Sequence, residues 1–167
     1  MSPLPKLIAT DIDGVWTDGG MYYSESGEES KRFNTYDSAA VVFCRALNIP
    51  VAILTGEPSL AVKRRAEKLT ISRCYTGLHD KLATLQTICG ELGITLADVA
   101  YIGDDLNDIA VLRAVGFSAC PVSAPEYIKQ QVSRVLTKKG GDGVFREFVE
   151  SILTDAGILQ EVLKNYL

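Results

Sequence analysis

The 167-residue sequence has few of the residues that build thiolate metal sites or disordered tracts. It contains one histidine, and its four cysteines are widely separated with no CxxC pair. A zinc site is therefore not expected, and we interpret the cysteines as reduced thiols that pack as small hydrophobic residues. Glycine (14 residues) and proline (6 residues) are too few for a linker-dominated or disordered chain.

Long apolar runs and an excess of positive charge are also missing. The longest uninterrupted apolar stretch, Ala39 to Cys44, is far shorter than a membrane-spanning helix of about 20 residues. Seventeen basic against 21 acidic residues give a net charge of −4, which offers no electrostatic surface to nucleic acid or anionic membranes. Asp11 and Asp13 interrupt the one candidate signal-sequence core. We therefore expect a single cytoplasmic domain over residues 1–167 that binds neither nucleic acid nor membrane.

Short apolar runs alternate with longer amphipathic segments, which predicts an α/β fold around a parallel sheet covered on both faces. The predicted strands are Leu7–Thr10, Val51–Leu54, Arg73–Tyr75, Val99–Ile102, Phe117–Cys120 and Arg134–Leu136. The predicted helices are Ser38–Leu47, Ser59–Leu69, Asp80–Leu92, Leu106–Val115, Pro125–Gln131 and Gly143–Leu153.

Two segments depart from this alternation. Met21–Tyr23 and Lys31–Phe33 flank the loop Ser24–Ser30, so we predict a β-hairpin over about residues 20–34, between the first strand and the first helix. The C-terminal tail, about residues 154–167, carries apolar residues at helical spacing. This tail can cover its own core or dock on a neighbouring subunit.

Acidic residues cluster directly after two predicted strands. Asp11 and Asp13 follow the first strand two positions apart, so they project to one side at the edge where open α/β sheets bind ligands. The segment Gly103–Asp108 (GDDLND) follows a later strand. Either cluster alone is also typical of a turn or a helix N-cap. Together they repel one another unless a cation lies between them, and hard oxygen donors favour Mg²⁺.

Polar groups suited to phosphate follow two further predicted elements. Thr55 and Gly56 end a strand and offer a hydroxyl and an amide, while Lys81 opens a helix with an ammonium group that can neutralise a phosphoryl group. Alone, Thr55 is as typical of a turn and Lys81 of a solvated surface charge.

In their order along the chain, Asp-x-Asp, Thr-Gly, Lys and Gly-Asp-Asp-x-Asn-Asp resemble the four motifs of the haloacid dehalogenase (HAD) superfamily, from Lys6 to about Leu153. Response-regulator receivers also combine acids, Thr and Lys, but their first acid pair consists of adjacent residues, whereas Ile12 separates this one. The resemblance implies a three-layer sandwich. Because the intervals between motifs are short, it implies no cap domain.

The same resemblance implies a Mg²⁺-dependent phosphatase. Asp11 would attack phosphorus to form an aspartyl phosphate, and Asp13 would serve as general acid and base. The phosphoryl oxygens would be held by Thr55, Gly56 and Lys81, with Asn107 orienting the lysine. The metal ligands would be Asp11, the backbone carbonyl of Asp13, Asp104 and, through water, Asp108, with Asp105 as the alternative to Asp108.

Three stretches, Thr10–Gly19, Arg64–Leu69 and Gly140–Glu147, resemble the capless tetrameric branch that dephosphorylates 2-keto-3-deoxy sugar acids in sialic acid or octulosonate (KDO) biosynthesis. Glu57 follows Thr-Gly where phosphatases of KDO 8-phosphate usually carry Arg, and Lys68 ends the next helix, as in phosphatases of nononate 9-phosphate. The segment 33–38 (FNTYDS) also resembles the nononate version. The expected substrate is therefore an eight- or nine-carbon sugar acid phosphate, with nononate 9-phosphate favoured.

The resemblance also implies substrate-binding residues and partners. The implied substrate-binding residues are Thr35, Ser38, Glu57, Arg65 and Lys68. Glu57 and Lys68 lie about 16 Å apart along a helix, so we expect the basic helix of one subunit to close a neighbour's site in a homotetramer. The alternative is a non-catalytic oligomerisation or regulatory module related to the C-terminal domain of sugar-acid cytidylyltransferases. The presence of both Asp11 and Asp13 speaks against it.

Overall fold

Eight short strands and seven α-helices lie along residues 3–167, the part of the chain that the computed structural model describes. The strands are β1 (Leu7–Thr10), β2 (Tyr22–Tyr23), β3 (Glu29–Ser30), β4 (Val51–Leu54), β5 (Arg73–Tyr75), β6 (Val99–Ile102), β7 (Phe117–Cys120) and β8 (Arg134–Val135). The helices are α1 (Asp37–Ala46), α2 (Leu60–Lys68), α3 (Lys81–Leu92), α4 (Ile109–Ala114), α5 (Glu126–Lys129), α6 (Val144–Asp155) and α7 (Leu159–Leu163).

Six strands form one parallel sheet in the order β5-β4-β1-β6-β7-β8, which confirms the predicted α/β architecture. β1 lies between β4 and β6, and Thr10, its last residue, pairs with Ile53 on one side and Ile102 on the other. The segments that follow these three strands therefore leave the sheet at the same level. This register brings the predicted motif loops to one edge of the sheet.

Side chains alternate between the two faces of the sheet, and each face has its own core. Ile8 and Ile53 contribute to a core that includes α1 and α6, whereas Leu7 and Tyr101 contribute to one that includes α3 and α4. β1, β4 and β6 are buried along their whole length, as continuous apolar strands in a covered parallel sheet must be. All four cysteines are free thiols.

The hairpin differs in one respect from the prediction. β2 pairs antiparallel with Glu29–Ser30, so the expectation that Lys31–Phe33 forms the second strand is wrong. The loop is shorter than expected because Ser24 and Glu28 close it: the Ser24 amide donates to the Glu28 carbonyl at 2.9 Å, and the Glu28 amide donates to Ser24 Oγ at 3.0 Å. The residues directly after β3, from Lys31 onwards, are therefore unpaired, and they turn towards the edge of the sheet where β1 ends.

The intervals between motifs hold no cap domain within the described residues. The hairpin is the one paired element between β1 and α1, and α2 and β5 fill the interval between Thr55 and Lys81. The predicted helix Leu106–Val115 begins as a 3₁₀ turn, Leu106–Asp108, before α4. No helix within residues 3–167 combines the length and hydrophobicity that crossing a bilayer requires.

Candidate active site

Asp11 and Asp13 occupy the loop that follows β1, at the edge of the sheet described above. The Asp11 amide donates to the Ile102 carbonyl at 3.0 Å, which extends the β1–β6 ladder by one residue. Ile12, between them, is fully buried in the core that includes α1 and α6. Asp11 is buried and Asp13 is half-buried. The pair therefore presents one enclosed and one accessible carboxylate.

Lys81 connects the two acidic clusters. Asp80 caps α3 by accepting a hydrogen bond from the Ala83 amide at 2.9 Å, and this fixes the start of the helix and the position of Lys81. The Lys81 Nζ lies 2.8 Å from Oδ1 of Asp11 and 2.8 Å from Oδ1 of Asp108. Burial lowers the pKa of Lys81, but the two carboxylates outweigh it and raise the pKa overall, so the ammonium stays charged.

Asp108 holds the loop after β6 in its folded form. Its Oδ2 accepts hydrogen bonds from the amides of Asp104 and Asp105, at 2.9 and 3.1 Å. Its Oδ1 accepts from the Tyr101 hydroxyl at 2.5 Å as well as from Lys81. Both oxygens thus have two donors, and the carboxylate is fixed beneath the loop. Asp108 is fully buried, while Asp105 is exposed.

The acidic groups are arranged as a site for a divalent cation. One carboxylate oxygen from each of Asp11, Asp104 and Asp108 lies within 4.8 Å of the others. Oδ1 of Asp104 is buried without a hydrogen-bond partner, which is costly unless a cation binds there. Burial and the charges of Asp11 and Asp108 raise the pKa of Asp104 to about 8, and burial with the charge of Asp108 also raises that of Asp11. These residues fit an oxygen-ligated metal ion such as Mg²⁺.

Thr55, Gly56 and Asn107 lie beside this acidic centre. Thr55 is buried, and its hydroxyl lies 3.4 Å from Oδ2 of Asp13. A Cβ atom at Gly56 would lie 3.3 Å from Nδ2 of Asn107, so these two residues are neighbours. Oδ1 of Asn107 accepts a hydrogen bond from Lys81 Nζ at 3.3 Å. The structure therefore brings together Asp11, Asp13, Thr55, Gly56, Lys81, Asp104, Asn107 and Asp108.

The segment before α6 supports the loop that carries Asp11 and Asp13. The Gly141 amide donates to the Val15 carbonyl at 3.0 Å. A Cβ atom at Gly140 would lie 1.9 Å from the carbonyl oxygen of Gly14, so only glycine fits there. We refer to Gly140–Gly141 as the glycine brace. These contacts explain why the stretch Gly140–Glu147 begins with two glycines, for which the sequence alone offers no reason beyond a family resemblance.

Among the described residues, no side chain of the five predicted substrate-binding residues forms a hydrogen bond or ion pair with the acidic centre, although the Glu57 amide donates to the Thr55 hydroxyl at 3.4 Å. Thr35, Glu57 and Lys68 are exposed. Arg65 and Ser38 are half-buried and contact each other, because Nη2 of Arg65 donates to Ser38 Oγ at 2.9 Å. This contact ties α2 to the start of α1. The roles of the five residues in substrate recognition stay predictions.

Sequence reasoning missed two residues of the centre. Tyr101 reads as one more apolar residue of a buried strand, and nothing in its neighbourhood signals that its hydroxyl meets Asp108. Lys31 was assigned to the hairpin, yet its Nζ lies 2.5 Å from Oδ1 of Asp13. The one available signal was the spacing of Glu29 and Lys31, which places both side chains on the same side of an extended segment.

One edge of the parallel sheet carries a buried carboxylate, a second acid two residues further on, a buried lysine and an oxygen-rich cation site. This combination defines a phosphoryl-transferring hydrolase. Comparison with known proteins agrees with this class. Residues 75–148 match the family model of haloacid dehalogenase-like hydrolases. The chain is 36% identical, over 91% of its length and 84% of the relative's, to 3-deoxy-D-manno-octulosonate 8-phosphate phosphatase of Haemophilus influenzae.

Solved structures show the same relationship. The Moraxella catarrhalis 3-deoxy-D-manno-octulosonate 8-phosphate phosphatase, in complex with a magnesium ion, a phosphate ion and KDO, superposes with a TM-score of 0.94 and 36% identity, covering 98% of this chain and 94% of that one. The cobalt-bound H. influenzae phosphatase gives a TM-score of 0.88 and 35% identity, covering 93% and 91%. The chain belongs to the haloacid dehalogenase superfamily of hydrolases and is a phosphatase.

Proposed function

We propose that this phosphatase hydrolyses the terminal phosphate ester of a 2-keto-3-deoxy sugar acid, with 3-deoxy-D-manno-octulosonate 8-phosphate as the first candidate substrate. The observation that carries the proposal is the similarity, over nearly the whole chain, to phosphatases that act on this compound. The sequence alone favoured nononate 9-phosphate, and the relatives move the eight-carbon ester to first place. Nononate 9-phosphate remains the second candidate, supported by Glu57 and Lys68 at the positions described above.

The geometry supports a two-step displacement at phosphorus. In the first step an Asp11 oxygen forms a bond to phosphorus, the ester P–O bond breaks, and Asp13 gives its proton to the departing alkoxide. In the second step Asp13 takes a proton from water, whose oxygen attacks phosphorus, and the bond between phosphorus and Asp11 breaks to release inorganic phosphate. Asp11 is held for attack by Lys81 at 2.8 Å, and the accessible Asp13 faces the entering ester.

The residues around Asp11 and Asp13 would neutralise the negative charge of the phosphoryl group. Lys81, the Thr55 hydroxyl and the Gly56 amide would bind the phosphoryl oxygens, because transfer succeeds only where that negative charge is stabilised. Asp11, Asp104 and the Asp13 carbonyl would hold Mg²⁺, while Asp108, whose two oxygens already accept four hydrogen bonds, would hold the loop that carries Asp104. When bound, the ion supplies a positive charge that screens the phosphate from the carboxylates.

We also propose that the protein works as a homotetramer in which the basic face of α2, formed by Lys63, Arg64, Arg65 and Lys68, helps to close a neighbouring site. The absence of a cap over residues 3–167 leaves the acidic centre open to a partner. The non-catalytic alternative is disfavoured because such a module does not need Lys81 bridging two carboxylates in a buried, oxygen-rich site.

A phosphate-release panel with Mg²⁺ tests the substrate proposal. We expect kcat/KM to be highest for octulosonate 8-phosphate and to exceed that for glucose 6-phosphate at least about 100-fold, a differential of about 2.7 kcal/mol in transition-state binding. A higher value for nononate 9-phosphate would select the second candidate. Preference for glucose 6-phosphate would refute the sugar-acid class, and absence of turnover with every ester would favour the non-catalytic module.

A further inference from the structure

Lys31 places a buried ammonium group on the second acid of the site. Its Nζ lies 2.5 Å from Oδ1 of Asp13 and 3.4 Å from Oε1 of Glu29, and Sδ of Met21 contacts it at 3.4 Å. The side chain of Lys31 has no exposed surface, whereas that of Asp13 is 23% exposed. The contact is therefore unlike a solvated surface pair, which contributes little because water and salt screen it.

The two oxygens of Asp13 face different groups. Oδ1 is held by Lys31, which comes from the segment after β3, while Oδ2 lies 3.4 Å from the Thr55 hydroxyl. Thr55 belongs to the loop that would bind the phosphoryl group, so Oδ2 is the oxygen that faces the reacting ester. When one oxygen of a carboxylate is held by an ion pair, the direction of the other oxygen is fixed as well.

Glu29 keeps the ammonium in place. Residues 29 and 31 are two apart in an extended segment, so both side chains project to one side, and Oε1 of Glu29 lies 3.4 Å from Nζ of Lys31. The β2–β3 ladder fixes Glu29 through its pairing with Tyr23. The hairpin thus determines the position of the Asp13 carboxylate through the contacts of Glu29 and Lys31.

We propose that Lys31 is a positioning residue for the phosphatase reaction: it holds Oδ1 of Asp13 so that Oδ2 points at the leaving oxygen of the ester. The inference rests on the proposed role of Asp13 as proton donor, but not on which sugar acid is the substrate. Lys31 forms an ion pair with the acid, and the described residues show no hydrogen bond between it and Thr55, Gly56 or Lys81, the residues assigned to phosphate. Its removal should therefore affect proton donation and leave phosphate binding intact.

The test compares esters that need a proton on the leaving group with one that does not. Alkyl phosphates release a strongly basic alkoxide, whereas p-nitrophenyl phosphate releases a stable phenolate. For Lys31→Met we expect kcat/KM to fall about 100-fold with octulosonate 8-phosphate and with glucose 6-phosphate, and less than about 3-fold with p-nitrophenyl phosphate. The ratio kcat/KM is the right quantity because it covers the steps up to leaving-group departure.

Two further variants complete the experiment. Lys31→Arg keeps a cation of similar reach and should recover at least about tenfold of the lost alkyl activity. Arg32→Met removes the neighbouring exposed cation, which forms no ion pair among the described residues, and should behave as the unaltered protein with all three esters. Circular dichroism and thermal unfolding check that each variant is folded.

Equal loss with alkyl and aryl esters would overturn the proposal, because it would mean that Lys31 binds phosphate or serves only the fold. Unchanged alkyl activity in Lys31→Met would overturn it as well. The outcome is separable from the substrate proposal: if octulosonate 8-phosphate is a poor substrate, glucose 6-phosphate still provides the alkyl arm of the comparison.

Discussion

A Cβ atom at Gly14 would lie 1.9 Å from Oδ2 of Asp104, so the loop after β1 and the loop after β6 touch at a point where only hydrogen fits. Gly14 also has a φ of +82°, in the left-handed region that favours glycine. The third residue after the proposed nucleophile and a proposed metal ligand are therefore in direct contact. The position of Asp104 depends on the absence of a side chain 90 residues earlier in the chain.

Gly14→Ala should weaken metal binding, because the new methyl group displaces the Asp104 carboxylate from Asp11. We expect the Kd for Mg²⁺, measured by isothermal titration calorimetry, to rise at least about tenfold. Gly27→Ala is the matched control, since Gly27 has a φ of +84° in the hairpin loop but no atom within 4 Å of a built Cβ. If both variants bind Mg²⁺ equally well, Gly14 does not set the position of Asp104.

Asp11→Asn should abolish turnover while leaving the fold intact. The amide is a poor nucleophile towards phosphorus, so phosphate release should fall about 10⁴-fold or more. The melting temperature should not fall, because the substitution removes a negative charge that Asp104 and Asp108 repel. Asp155→Asn, in an exposed ion pair with Arg134 far along the chain, should retain activity. Substantial phosphate release by Asp11→Asn would rule out Asp11 as the nucleophile.

Tyr101→Phe should lower both stability and activity, since it removes one of the two donors on Oδ1 of Asp108. Loss of a buried hydrogen bond to a charged group costs about 1.5–3 kcal/mol, which urea denaturation can measure. We expect kcat to fall about tenfold with little change in KM, because Lys81 loses part of its alignment. Tyr127→Phe, at a 47% exposed tyrosine, is the control and should change neither quantity. Wild-type stability in Tyr101→Phe would show that the hydroxyl is not needed beneath the loop.

Asp37 should make the stability of the protein depend on pH. This carboxyl is fully buried and accepts a hydrogen bond from the Arg146 amide at the start of α6. Burial raises its pKa from 3.8 to about 6, against the opposing charges of Arg65 and Lys138. The folded state therefore binds a proton more tightly than the unfolded state, so this contribution is complete below about pH 4 and is lost as the pH rises through 6.

Asp37→Asn tests this assignment because the amide oxygen can still accept from Arg146 but does not titrate. The free energy of unfolding of the unaltered protein, relative to Asp37→Asn, should decrease by an amount on the order of 2 kcal/mol between pH 4 and pH 7. Guanidinium denaturation at a series of pH values measures it. Parallel pH profiles for the two proteins would contradict the prediction.

The sheet could be predicted because its central strands have a clear sequence pattern. Val51–Leu54 and Val99–Ile102 are continuous apolar runs, and only a strand covered on both faces buries every residue of such a run. Asp11, Lys81 and Asp108 could be expected to meet because the carboxyl ends of neighbouring parallel strands share an edge. The order of apolar and polar residues along the chain predicts this topology, and the topology places most of the site residues at one edge of the sheet.

The contacts of Lys31 and Arg65 could not be predicted, because they depend on where irregular segments turn. The hairpin closes at Ser24 and Glu28 instead of further along, and this shift changes Lys31 from a strand residue into a partner of Asp13. Arg65 was assigned to substrate, but its guanidinium contacts Ser38 of its own chain. Loop closure and side-chain direction of this sort are decided by tertiary contacts that no spacing in the sequence records.

The glycine brace has a consequence for how the protein is made. Gly140 and Gly141 rest on the loop that bears Asp11 and Asp13, yet they are synthesised more than 120 residues later. A growing chain that has already emerged through Asp108 carries every acid and the lysine of the site, but its first loop still lacks this support. The contacts that support the first loop can therefore form only once residues 140 and 141 have been synthesised and have folded back onto it.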